Sequence, residues 1–135
     1  MVEITGSYQG DLSVEARHGP SGSALITDAP RDNAGLGRTF SPTDLVATAL
    51  GTCVLTTIAI VAARRGVDIA GATFHVRKEM VADPERRIGR LPLTVVLPAS
   101  VPAEQRPVLE RAGHTCPVHR SLGERVDAPI RYEYR

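Results

Sequence analysis

The sequence contains no tryptophan, and aromatic residues make up only 4% of its 135 residues. Proteins that bind single-stranded nucleic acids stack bases on aromatic side chains, so this route of recognition has little support. The formal net charge is only +1, which gives no basic surface to attract nucleic acid or an anionic membrane. The composition therefore predicts neither a nucleic-acid partner nor a membrane partner.

The N-terminal residues MVEITGSYQGDL have no basic start followed by an apolar stretch, which a secretory signal would require. We therefore expect a cytoplasmic location. No glycine-rich loop follows a strand and opens a helix, so nucleotide binding is not expected. The two cysteines, Cys53 and Cys116, form neither a C-x-x-C pair nor a zinc-ribbon spacing. Their spacing alone leaves open that each is a small buried apolar residue.

Charged residues are also missing from residues 45–63, in the middle of a long apolar stretch. Ser41 and Asp44 predict a capping box at its start, and Gly66 predicts its end. A helix from residue 42 to residue 65 would be about 36 Å long. A compact chain of 135 residues has a radius of gyration of roughly 14 Å. A helix that is apolar on all sides is buried on all sides, so a second copy of the chain is expected to cover the remaining face. Its threonines and glycine argue against a membrane span.

The remaining residues predict short strands and two further helices. Alternating apolar residues favour a hairpin with one apolar face over residues 2–16, a third strand at 24–27, and strands at 72–81, 88–97 and 126–134. Residues 28–39 read as a loop that carries Arg31 and Arg38. Residues 102–113 predict a helix, in which Pro107 would delete an interior hydrogen bond unless the helix starts late. Pro117 opens a further short helix. The order βββ-α-ββ-α(α)-β indicates an α+β fold in a single domain, residues 1–135.

The surroundings of the two cysteines differ. Cys116 precedes Pro117 at the start of a short helix, where backbone N–H groups favour a thiolate. Cys53 lies inside the long helix and needs a positive charge from elsewhere, for which the loop arginines are the natural source. His114 and His119 flank Cys116, but H-x-C-x-x-H is not a known zinc spacing, so neither a metal nor another cofactor is expected. His119 could instead serve Cys116 as a base.

Several motifs taken together resemble a known family. The motif SPTDLVATALGTC opens the long helix, DAPRDNAGLGRT precedes it, and CPVHRSL and an alternating strand follow late in the chain. This combination resembles the OsmC/organic hydroperoxide resistance family over nearly the whole chain. The resemblance implies an intertwined homodimer with its antiparallel sheet packed on the long central helix. It also implies a thiol peroxidase of oxidative stress defence, in which Cys53 attacks an organic hydroperoxide, Cys116 resolves the sulfenic acid to a disulfide, and a thiol or dithiol reductant resets the pair.

One position departs from the family pattern. The family holds an arginine near the helix cysteine with a glutamate directly after the helix proline, and that position is Thr43 here. The nearest carboxylate is Asp44, and Arg38 is favoured over Arg17 and Arg31 as the arginine. The candidate catalytic residues are therefore Cys53, Cys116, Arg38 and Asp44. A non-catalytic homodimer that binds a small ligand or senses redox state remains the alternative.

Overall fold

A computed structural model describes all residues, Met1–Arg135, as two compact units, Met1–Leu45 and Val46–Arg135. The three helices are α1 (Pro42–Arg64), α2 (Arg106–Gly113) and α3 (Pro117–Ser121), with single 3-10 turns at Arg31–Asn33 and Ala103–Gln105. The eight strands are β1 (Ile4–Gly10), β2 (Ser13–His18), β3 (Ala24–Asp28), β4 (Thr73–Val76), β5 (Glu79–Val81), β6 (Arg87–Arg90), β7 (Leu93–Leu97) and β8 (Ile130–Tyr134). This is the predicted α+β class.

The first unit is built on an antiparallel sheet in the order β1-β2-β3. Gly10, Asp11 and Leu12 all have positive φ in the tight turn between β1 and β2. The strands were expected to bury one apolar face, but no residue of β1 is buried in this chain. The exposed apolar side chains of the unit are Val2, Ile4, Tyr8, Leu12, Val14, Leu25, Ile26, Leu36 and Phe40. The single chain leaves the apolar surface of these side chains uncovered.

Helix α1 begins with the predicted capping box. The Asp44 N–H donates to Ser41 Oγ at 3.1 Å, and the Ser41 N–H donates to Asp44 Oδ2 at 2.9 Å. Gly66, with φ 68°, follows the end of the helix as predicted.

The single chain buries one stripe of α1, spaced three and four residues apart: Ala47, Leu50, Gly51, Val54, Ile58 and Ala62. Thr52, Thr56, Ile60 and Ala63, on the other side, are exposed. By length and composition α1 could cross a membrane, but the core helices of soluble proteins meet the same two criteria. The expectation of burial on all sides is therefore met on one face only within one chain.

The second unit contains a sheet in the order β4-β7-β8 and a separate β5-β6 hairpin. Sequence periodicity predicted one strand over 72–81 and one over 88–97, but each is divided in two. Pro92 lies at the second break, where a residue without an N–H cannot continue the ladder. Strand β8 pairs with β7 in parallel. Residues Leu91, Leu93, Val95 and Leu97 are buried, as their alternation predicted, and they join α1 in one core.

The two prolines in the C-terminal helices lie in first helical turns, as predicted for Pro117, and α2 begins at Arg106 rather than at residue 102. A 3-10 turn precedes α2, so Pro107 falls in the first helical turn, where its missing N–H costs no hydrogen bond. Pro117 is the first residue of α3, which places Cys116 directly before the helix.

Candidate functional site

The structure brings Cys53 and Cys116 together. Cys53 lies in the middle of α1, half-buried beside the core stripe, whereas Cys116 is fully buried just before α3. Both are free thiols that pack on the same core. The two side chains lie close enough to interact, and the interaction with Cys53 raises the pKa of Cys116. Two residues that are distant in the sequence thus form one dithiol site.

Cys116 also receives a backbone hydrogen bond. The His119 N–H donates to Cys116 Sγ at 3.4 Å, so the cysteine acts as the cap of α3. The expectation of a favoured thiolate at this position is nevertheless wrong. Burial, followed by the contact with Cys53, raises the pKa of Cys116, and the N–H donors of His119 and Val118 only partly offset this. Cys116 therefore stays a thiol while it contacts Cys53.

The His119 ring forms a hydrogen bond with the backbone of Ala128. Its Nε2 lies 3.0 Å from the Ala128 carbonyl oxygen. A carbonyl only accepts, so Nε2 carries a hydrogen in this contact. The ring also lies edge-on to His114, with 5.9 Å between the centroids. The hydrogen bond from His119 to Cys116 is donated by the backbone N–H of His119 and not by its ring. Both rings line a surface cleft of about 400 Å³.

The three candidate arginines, all in the first unit, have different partners. Arg38 donates through Nε to Asp28 Oδ2 at 2.8 Å and through Nη2 to Asp28 Oδ1 at 2.9 Å. Arg17 pairs with Glu15 at 3.0 Å, and their side chains are 60% and 30% exposed. Arg31 donates to the Leu36 carbonyl at 3.2 Å.

Asp28 is the residue that sequence reasoning missed. Its side chain is only 1% exposed, at the end of β3, where the sequence had been read as the start of a loop. An aspartate that ends an apolar strand was the available signal. Arg38 lowers the pKa of Asp28 through their hydrogen bonds, and Asp28 raises the pKa of Arg38 in turn.

Asp44 has a structural role at the start of α1. Its carboxylate accepts the Ser41 N–H in the capping box. Its part in orienting an arginine stays a prediction.

Comparison with known proteins decides the family. Residues 35–130 match the OsmC-like protein family. The chain belongs to the OsmC-like family. The crystal structure of a protein from Psychrobacter arcticus, provisionally assigned to the osmotic stress and detoxification response, is 38% identical, with a TM-score of 0.91 over 98% of this chain and 96% of that one. None of the curated proteins matches the chain.

Two more distant OsmC-like structures share the fold. The organic hydroperoxide resistance protein OsmC of Legionella pneumophila is 16% identical, with a TM-score of 0.75 over 98% of this chain and 96% of that one. The organic hydroperoxide resistance protein OhrB of Bacillus subtilis is 19% identical, with a TM-score of 0.72 over 98% of each chain. At these identities the similarity supports the fold of the family.

Proposed function

We propose that this OsmC-like protein is a thiol-dependent peroxidase that reduces organic hydroperoxides in oxidative stress defence. The observation that carries the proposal is that Cys53 and Cys116 are free thiols packed on the same core and close enough to interact. Disulfide formation requires two cysteines whose side chains already approach each other, or a backbone that moves to bring them together. The names of the more distant structures, organic hydroperoxide resistance proteins, agree with this substrate class.

The difference in burial supports the roles that we propose for the two cysteines. Cys53 is half-buried and can be reached by a substrate, whereas Cys116 is fully buried and its pKa is raised. A thiolate is the nucleophile in thiol chemistry. We therefore assign the attack on the peroxide to Cys53 and the resolving step to Cys116.

The proposed reduction of the hydroperoxide has three steps. The Cys53 thiolate attacks the outer peroxide oxygen, so that an S–O bond forms, the O–O bond breaks and the alkoxide takes up a proton to leave as an alcohol. The Cys116 sulfur then attacks the sulfenic acid, forming the S–S bond, and the hydroxyl leaves as water with the Cys116 proton. A dithiol reductant then reduces the disulfide and is itself oxidised. We propose that the protein works in the cytoplasm.

Arg38 and Asp44 complete the proposed site. A guanidinium donates hydrogen bonds to an oxygen that gains negative charge as the O–O bond breaks. We assign this role to Arg38 and an orienting role to Asp44, because the resemblance to the family places an arginine and a carboxylate in the reaction. Peroxide turnover by Arg38→Gln and by Asp44→Asn tests the two assignments.

The working form is proposed to be a homodimer. The exposed side of α1 carries no charged residue between residues 45 and 63. The first unit exposes nine large apolar side chains beyond Met1, and exposed apolar surface that is concentrated in one region is typical of an interaction site. A second copy of the chain would cover such surfaces. Sedimentation equilibrium should give the mass of a dimer, and a monomer at micromolar concentration would refute this part.

Turnover tests the proposal directly. The wild-type protein should consume cumene hydroperoxide or tert-butyl hydroperoxide when dithiothreitol is supplied. Cys53→Ser should abolish turnover, because the nucleophile is lost. Cys116→Ser should still react once with peroxide but accumulate a sulfenic acid at Cys53. Full activity of Cys53→Ser would refute the peroxidase, and inactivity of the wild type with a tightly retained small ligand would support the non-catalytic homodimer.

A further inference from the structure

The β4-β7-β8 sheet has an outer face, opposite the core, that carries polar and cationic side chains. Thr94 pairs with His75 of β4 on one side and with Arg131 of β8 on the other, so the three residues form one row across the sheet. The neighbours of Thr94 along β7, Leu93 and Val95, are buried in the core. Because successive side chains of a strand point to opposite faces, the row of His75, Thr94 and Arg131 lies on the outer face.

This row lines a cleft of about 370 Å³, a volume at the lower end of those that hold small molecules. Two further arginines, Arg77 and Arg90, also line the cleft, whereas no aspartate or glutamate does. The remaining lining residues are apolar: Pro92, Leu93, Pro129 and Ile130. The cleft therefore combines three guanidinium groups with an apolar wall.

Two of the three arginines have weak partners. Arg77 Nη2 lies 3.4 Å from Glu79 Oε1, and the Arg77 side chain is 65% exposed. Arg131 pairs with Glu133, and its side chain is 75% exposed. Ion pairs between exposed side chains contribute little free energy. A ligand that carries more negative charge than one carboxylate can therefore take the place of these partners.

Further hydrogen-bond donors in the cleft come from the other polar residues that line it. The Thr94 hydroxyl and the His75 ring form no hydrogen bond within the chain. Arg90 donates through Nε to Asp127 Oδ2 at 2.8 Å, which anchors its guanidinium. Hydroxyl, imidazole and guanidinium groups all donate to oxygen acceptors. The cleft thus offers donors from several strands to one anionic group.

We propose that this cleft binds the phosphate group of a small organic phosphate ester. Such an ester carries about −1.5 to −2 charge at neutral pH and three strong acceptor oxygens, which match three guanidinium groups better than a single carboxylate does. A guanidinium can also bind two phosphate oxygens at once. Pro92 and Pro129 provide an apolar wall for the organic part of the ligand. The site lies within the unit Val46–Arg135 and does not rest on the proposed peroxidase activity.

A titration of the full chain with phenyl phosphate, followed through its backbone amides by NMR, tests the site. The largest shifts should fall on the row of Thr94 and Arg131. Arg131→Gln should weaken binding by about 10- to 100-fold, the usual cost of a lost hydrogen bond to a charged group. Glu133→Gln should tighten binding, because it removes the carboxylate that competes for Arg131.

The exposed pair of Arg125 and Glu85 supplies matched controls, since neither residue lines the cleft. Arg125→Gln and Glu85→Gln make the same two changes of charge and should leave the affinity for phenyl phosphate unchanged. Inorganic phosphate should shift the same amides at higher concentration, because it lacks the part that contacts the apolar wall. Cys53→Ser should bind phenyl phosphate as wild type does, so loss of the peroxidase proposal would leave this one intact.

Three results would overturn the proposal. One is the absence of amide shifts at millimolar phenyl phosphate, and another is a set of shifts away from the row that contains Thr94. The third is an equal loss of affinity in Arg131→Gln and Arg125→Gln, which would mean that phosphate responds only to the net charge of the protein. Binding of inorganic phosphate without binding of phenyl phosphate would also exclude an ester as the ligand.

Discussion

Gly51, two residues before Cys53, gives a stability prediction whose sign depends on one contact. A Cβ added at Gly51 would lie 2.3 Å from Phe74 Cε2 and 2.4 Å from Phe74 Cδ2. Carbon atoms normally approach to about 3.5–4.0 Å, so the ring would have to recede by about 1 Å. Phe74 belongs to β4, which is hydrogen-bonded to β7 and packs on the core, so the ring has little room to recede.

Two opposing terms decide the result of Gly51→Ala. Replacing glycine by alanine inside a helix stabilises it by about 1 kcal/mol. Overpacking a filled site costs about 1–3 kcal/mol. Because the clash is with ring carbons rather than with a flexible chain end, we expect the second term to be larger. The net result should be a loss of about 1 kcal/mol in the free energy of unfolding.

Urea unfolding at a fixed protein concentration measures this change, since association would make stability concentration-dependent. The matched background is Phe74→Leu, which removes the ring. There Gly51→Ala should be neutral or stabilising by up to about 1 kcal/mol. A Gly51→Ala variant that is more stable than wild type with Phe74 present would refute the reasoning.

Three further predictions concern local groups. Ser41→Ala removes the helix cap and should lower the free energy of unfolding by about 1 kcal/mol; an unchanged urea midpoint would contradict the cap. Burial raises the pKa of Tyr132 to about 12 from 10.0. The folded state therefore keeps this proton longer than the unfolded state, and stability should fall as the pH rises through this interval. Tyr132→Phe should fall less steeply than wild type, and equal slopes would argue against the shift. In the reduced protein, iodoacetamide should label half-exposed Cys53 before buried Cys116, and the reverse order by peptide mass spectrometry would contradict the assigned roles.

Features fixed by neighbouring residues could be predicted from the sequence. The capping box of Ser41 and Asp44 involves one turn of chain, and Gly66 ends the helix by its own φ. The alternation from Leu91 to Leu97 likewise predicted which side chains are buried, because side chains on a strand alternate between its two faces. These signals are local, and tertiary packing agrees with them.

Features that depend on distant parts of the chain could not be predicted in this way. Periodicity does not say which strand lies beside which, so the parallel pairing of β7 with β8 was not foreseen. The pairing of Asp28 with Arg38 joins two ends of a segment with no periodicity. The contact of Cys53 with Cys116 was expected only through the family resemblance. The raised pKa of Cys116 depends on burial that its position at a helix start does not reveal.

The most direct test of the account is the covalent state of the two cysteines after one equivalent of cumene hydroperoxide. Intact-mass and peptide analysis of the reduced protein should show the loss of two hydrogens and a disulfide joining Cys53 to Cys116, while Cys53→Ser stays unmodified. A protein that keeps both thiols free under these conditions, or one oxidised first at Cys116, would contradict the account.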